Sequence, residues 1–168
     1  MKKYELTTNT KMLFGRKLFQ IKALVSFGDV TAGDLGGYIE KEENLSHDGT
    51  AWVYGDALVY GNARVYGNAR VSGDAWVSGN ARVSGDAWVY GNADYICFKG
   101  FGSKNRNTTM FRTKNGDVYV CCGCFTGSLK KFTEKVKETH GNGKCAKEYL
   151  ACVEAAKIHF EIGEENDK

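Results

Sequence analysis

The sequence predicts a mainly β chain: a parallel β-helix of 18-residue triangular coils with a small C-terminal α+β cap. Three observations predict it. From Val53 the chain reads VYGDAL, VYGNAR, VYGNAR, VSGDAW, VSGNAR, VSGDAW, VYGNAD, which is seven consecutive six-residue units over 53–94. Each has Val first, Gly third, Asp or Asn fourth and Ala fifth. The chain also combines 21 glycines with no proline and 42% hydrophobic residues, and that strict valine period is foreign to a disordered Gly-rich tract. Beyond residue 94 the period stops, and hairpin and helix spacings replace it.

The elements follow in order. Residues 1–20 are expected to form an N-terminal cap, because the first coil leaves an open strand edge that needs cover. Ile21, Phe27, Ile39 and Leu45 sit on multiples of six, with Gly33 in the gap, so the coils are expected over 21–94. Between Leu45 and Val53 the spacing is eight, which predicts a two-residue insertion near Asp48-Gly49. Within each unit Val points inward and its two neighbours point outward, as strand geometry requires. Gly and Asx suit the left-handed backbone of a tight corner, and Ala fits the narrow inside of that corner. Three edges close one coil, and coils stack at about 4.8 Å.

Residues 95–168 read as a separate α+β module. Thr108–Thr113 and Val118–Cys122 flank Lys114-Asn115-Gly116-Asp117, which predicts a hairpin. Leu129, Phe132 and Val136 fall at helical spacing, and Gly141-Asn142-Gly143 ends that helix near His140. A second helix is expected over Cys145–Phe160, with Tyr149, Cys152, Val153, Ala156 and Phe160 on one face. Residues 163–168 read as a frayed polar tail.

Charge bounds the function. With 23 basic and 20 acidic residues the net charge is +3, both signs interspersed. That argues against a DNA mimic and gives nucleic-acid binding little support. Arg16, Lys17 and Lys22 interrupt the apolar run from Met12 to Phe27, so neither a signal peptide nor a membrane span is expected, and the protein is expected in the cytoplasm.

The tandem V-x-G-[ND]-A-x run resembles the hexapeptide-repeat superfamily. The resemblance implies a left-handed coil, an exception to the right-handed rule for parallel connections. It also implies that acyl transfer and a trimer must be weighed. Three stretches are similar to a narrower group of transferase-like proteins from bacteria and their phages: FGDVTAGDLGGYIEKEENLSHDG (27–49), the repeat, and VCCGCFTGSLKKFTEKVKETHG (120–141). No activity carries over from that group, since fold alone does not give function.

Residues 18 apart stack on one face, which sorts the outward positions into three columns. The first holds Trp52, Arg70 and Trp88, flanked by Tyr54 and Tyr90. The second holds Leu58 and Trp76, and the third Arg64 and Arg82 beside Tyr66. Trp, Tyr and Arg are the residues enriched at binding hot spots. The first column is expected to be exposed and to serve self-association, as a dimer or trimer, or a protein partner. A nucleotide-like ligand held by Arg and Trp is a variant of the same reading. For acyl transfer the candidate base is His47, but the seven clean units hold no histidine and no inserted loop. Cys122, Cys124, His140 and Cys145 could supply metal ligands, yet Cys122 and Cys124 stand only two apart and no second cysteine pair follows, so small buried thiols are the preferred explanation. The corner Asx residues are expected to bond their own backbone. No cofactor is expected. The sequence thus points to a non-enzymatic interaction or scaffold protein, with the phage or prophage setting implied by the resemblance alone and an acyltransferase-like enzyme as the alternative.

Overall fold

In a computed structural model the described residues are 1–162; the polar tail expected at 163–168 lies outside them. The chain divides into two compact units, Met1–Asn92 and Ala93–Lys168. Among the described residues no helix is long and apolar enough to cross a membrane.

The first unit opens with two antiparallel strands, β1 (Tyr4–Leu13) and β2 (Arg16–Ala23). Their turn places Phe14 at φ 49° and Gly15 at φ 77°. β2 pairs antiparallel with β3 (Leu35–Ile39), so Ile21, which the spacing places at the start of the coils, belongs instead to this antiparallel layer. Parallel pairing begins at β3.

Seven two-residue strands follow, one per repeat unit: β4 (Trp52–Val53), β5 (Leu58–Val59), β6 (Arg64–Val65), β7 (Arg70–Val71), β8 (Trp76–Val77), β9 (Arg82–Val83) and β10 (Trp88–Val89). They form three parallel ladders, β4–β7–β10, β3–β5–β8 and β6–β9. Within the repeat the partners stand 18 residues apart, as Trp52 with Arg70 and Arg64 with Arg82. One coil earlier the offset is 20, as Tyr38 with Leu58 and Leu45 with Val65. The two extra residues therefore fall between Leu45 and Trp52, where the spacing expects them. At that corner Gly49 has φ 70°, and a Cβ there would meet the Gly67 carbonyl oxygen at 2.4 Å. A repeat corner makes the same demand: at Gly73, φ 62°, a Cβ would lie 2.2 Å from the Tyr90 carbonyl oxygen.

The core of the coils is valine and alanine. Val53, Val59, Val65, Val71, Val77, Val83 and Val89 are all 0% exposed, as are Ala57, Ala63, Ala69, Ala75, Ala81 and Ala87. The corner Asx side chains do not behave as expected. Asn62 donates to Asn80 at 3.2 Å, and Asn68 accepts from Thr50 at 2.9 Å and donates to Asp86 at 3.3 Å. These ladders tie successive coils together, because identical corners stack and an amide can both donate and accept.

The second unit is a four-stranded antiparallel sheet in the order β11 (Tyr95–Phe101), β12 (Arg106–Arg112), β13 (Val118–Cys122) and β14 (Phe125–Ser128), followed by α1 (Leu129–His140) and α2 (Lys144–His159). Ser128 caps α1 by accepting the Lys131 amide. Phe132 and Val136 of α1 pack with Tyr149, Cys152, Val153 and Ala156 of α2 on Met110 and Val120 of the sheet.

Candidate binding surfaces

The three ladders give three outer faces. On the first, Arg70 pairs with both Trp52 and Trp88, so the expected column forms. Its exposure does not hold at Trp52, which is 1% exposed. Tyr4 and Phe27, from the segment before the coils, meet its ring edge-on at 6.1 and 5.4 Å. The cap thus buries an outward indole that periodicity alone leaves in solvent. Arg70 is also engaged. Its guanidinium lies 2.7 Å from Asp29 and over the rings of Tyr54 and Trp88 at 5.6 and 5.4 Å. Tyr54 donates to the same Asp29 at 2.9 Å. Burial pushes the Tyr54 phenol up to about 12, helped by that bond. Desolvation would raise Asp29, but the Tyr54 bond and Arg70 hold it below the ordinary carboxylate value. Trp88 and Tyr90 continue the column, edge-on to one another at 5.6 Å, and Tyr90 is exposed.

On the second face Leu58 is buried with Leu18 and Tyr38, packed against Leu13 and Tyr60. The hairpin belongs to the same sheet, whose order is β1–β2–β3–β5–β8. Trp76, 37% exposed, meets the ring of Phe14 edge-on at 6.1 Å. Phe14 is 79% exposed and holds a positive φ at the hairpin tip. Around this tip stand Lys11, Arg16 and Lys17, respectively bonded to Asp56, bonded to Glu40, and set over Phe19.

The third face brings together residues that the sequence treats separately. A groove of about 610 Å³ is lined by Glu42, Glu43, Ser46, His47, Arg64, Tyr66 and Arg82, among others. Leu45 stacks on Val65, which sets His47, two residues on, beside the ladder of Arg64 and Arg82. His47 is fixed on both sides. Tyr4 stacks on its ring at 4.3 Å, and its Nδ1 accepts the Lys3 amide at 3.2 Å. A ring nitrogen that accepts carries no proton, so the proton sits on Nε2. Nε2 is buried without a hydrogen-bond partner, its nearest acceptor being Glu42 at 3.8 Å. The basic lone pair is thus occupied by backbone, a poor arrangement for a general base. Beside it the buried Lys3 ammonium donates to the Ala51 carbonyl at 2.8 Å. Burial lowers its pKa to about 8, against the pull of Asp48.

The cysteines do not gather. Cys122 is buried beside Tyr149 in the core, whereas Cys124 lies exposed in the turn between β13 and β14, so the two do not share a strand face. His140 packs on Tyr149 at 5.8 Å, and Cys145 is half-buried. Among the described residues no group of three or more His, Cys, Asp or Glu could hold a metal ion.

A family model described as YdcK beta solenoid repeat matches residues 63–79 and 75–91. No curated protein matches the chain. The matched residues hold β6 to β10 of the 18-residue ladders, and the pattern, the ladders and the match together describe a β-solenoid repeat protein.

Proposed function

We propose that this protein is a non-enzymatic interaction scaffold, which the rigid solenoid serves by presenting an aromatic and basic surface to a second copy of itself or to another protein. The observation that carries the reading is Phe14. A bulky residue at positive φ is strained where Gly or Asn would not be, yet this one holds an apolar ring in solvent against Trp76. Strain kept at a surface is a mark of use, and two aromatic rings with an arginine near them are residue types enriched at interface hot spots. The first column supports the reading less than the sequence expects, since Trp52 is covered and Arg70 is held by Asp29.

Finer statements belong to the same proposal: membership of the hexapeptide-repeat superfamily, a left-handed coil, a dimer or trimer, and a phage or prophage setting with a host or defence protein as target rest on the resemblance, and a cytoplasmic location rests on the charges that interrupt the apolar run from Met12 to Phe27. The acyltransferase alternative is weaker, because Nδ1 of His47 is occupied by a backbone amide.

Phe14→Asn tests the reading cleanly. Asn tolerates the left-handed backbone, so the variant should melt at or above the wild-type temperature. In sedimentation velocity the wild type should associate, alone or with its partner, and Phe14→Asn should not. Identical sedimentation and identical partners in both proteins would refute this surface.

A further inference from the structure

Arg64 and Glu43 line the same groove, and both are exposed. Leu45 is the partner of Val65 across one coil. Arg64 precedes Val65, and Glu43 lies two residues before Leu45, so the two side chains start one rung of about 4.8 Å and one residue apart. Their charges are opposite, yet neither joins an ion pair or hydrogen bond among the described residues. Glu42 is answered by Lys2 at 2.7 Å, which leaves Glu43 as the unanswered carboxylate among the described groove residues.

The rest of the groove has the form of a small-ligand site. Its volume of about 610 Å³ falls within the range of roughly 300–1,000 Å³ usual for such sites. Two donors stand beside Arg64. Ser46 accepts the Asp48 amide at 3.0 Å, which turns its hydroxyl proton to donation. The Nε2–H of His47 is buried without an acceptor, Glu42 being 3.8 Å away, and an unmatched donor favours a ligand that supplies one. Tyr66 is half-buried in the wall, a flat surface for a second ring. The charges decide what fits. A simple anion would meet Glu43, and a simple cation would meet Arg64. An α-amino acid carries a carboxylate and an ammonium on one carbon, which suits opposite side chains set one rung apart.

We propose that this groove binds a free α-amino acid with an aromatic side chain, its carboxylate on Arg64, Ser46 and His47, its ammonium on Glu43, and its ring along Tyr66. The ligand needs nothing from Arg82, the next rung of the ladder. The site shares no residue with the Phe14 and Trp76 surface, so either can fail without the other.

Isothermal titration of the full chain with phenylalanine, its amide and its N-acetyl derivative is the test. The amide keeps only the cation, and the N-acetyl form keeps only the anion. Phenylalanine should bind, and each blocked form should bind at least about tenfold more weakly, as expected when a charge-assisted contact is lost. Arg64→Gln should weaken phenylalanine to the level of the amide and leave the amide unchanged. Glu43→Gln should weaken phenylalanine likewise and leave the N-acetyl form unchanged. Both residues are exposed, so the melting temperature should hold in each variant. Should a variant melt lower, the ratio of phenylalanine to blocked-form affinity within that variant carries the comparison, since lost folding weakens both ligands alike. No heat with phenylalanine, a blocked form that binds as tightly, or ratios equal in wild type and variants would overturn the assignment. Sedimentation of both variants should stay as in wild type, which separates this result from the interaction surface.

Discussion

Asp29 accepts from two residues of one outer column at once, the Arg70 guanidinium at 2.7 Å and the Tyr54 hydroxyl at 2.9 Å. A side chain that periodicity alone assigns to an interface is therefore tied to the loop that precedes the coils. Arg70→Glu should act on stability and leave association unchanged. The pair is partly solvent-screened, so the loss should be modest, about 1 kcal/mol including the new repulsion. Urea unfolding and sedimentation velocity on the same variant check both halves.

Trp52 should matter far more than its outward position implies. It is fully buried against Tyr4 and Phe27. Trp52→Ala should cost about 3–5 kcal/mol, the usual loss for deleting a buried indole, and should loosen the β1–β2 hairpin. Hydrogen exchange at β1 amides, compared with amides of β9, reads the local part of that effect.

Val71→Asp should prevent folding of the coils. Val71 is 0% exposed in a core of valine and alanine, where a carboxylate has no partner. The expected cost exceeds about 4 kcal/mol. Far-ultraviolet circular dichroism with a thermal melt gives the outcome, and an unchanged melt would mean that the inward register is wrong.

Lys3 should make stability rise with pH in the alkaline range. Its pKa falls from 10.5 to about 8 on folding, through burial. Below about 8 both states are protonated, and the folded state carries the cost of a buried cation. Between about 8 and 10.5 the unfolded chain binds more protons, so unfolding becomes harder as pH rises. Lys3→Met should remove this slope, as read from urea midpoints across that interval.

The coils were legible because every repeat position has a local cause: Val for the inside of a strand, Gly for the left-handed corner, Ala for the narrow bend. The two-residue insertion was legible from spacing alone. Trp52 was not, since its burial depends on Tyr4, which arrives from 48 residues upstream. The β1–β2 hairpin had a signal in Gly15 between two alternating stretches, but the basic residues in it read as breaks in an apolar run. The groove was hidden for a related reason. His47 and Arg64 line one groove because Leu45 stacks on Val65 across one coil, a pairing whose offset of 20 the clean 18-residue period does not give. The Asn62–Asn80 and Asn68–Asp86 bonds escaped because identical corners offer one another better partners than their own backbone does.

Successive coils are joined by interchangeable connections: Val on Val, Asx on Asx, one rung at a time. Removing or duplicating 18 residues within 53–94 would therefore leave every remaining joint with a chemically matching mate. Gene slippage by a whole turn would be tolerated, whereas slippage by a single six-residue unit would move each downstream strand to the next of the three ladders. The molecule can thus change its reach in steps of one coil while keeping its facing, which makes it a ruler graduated in whole turns.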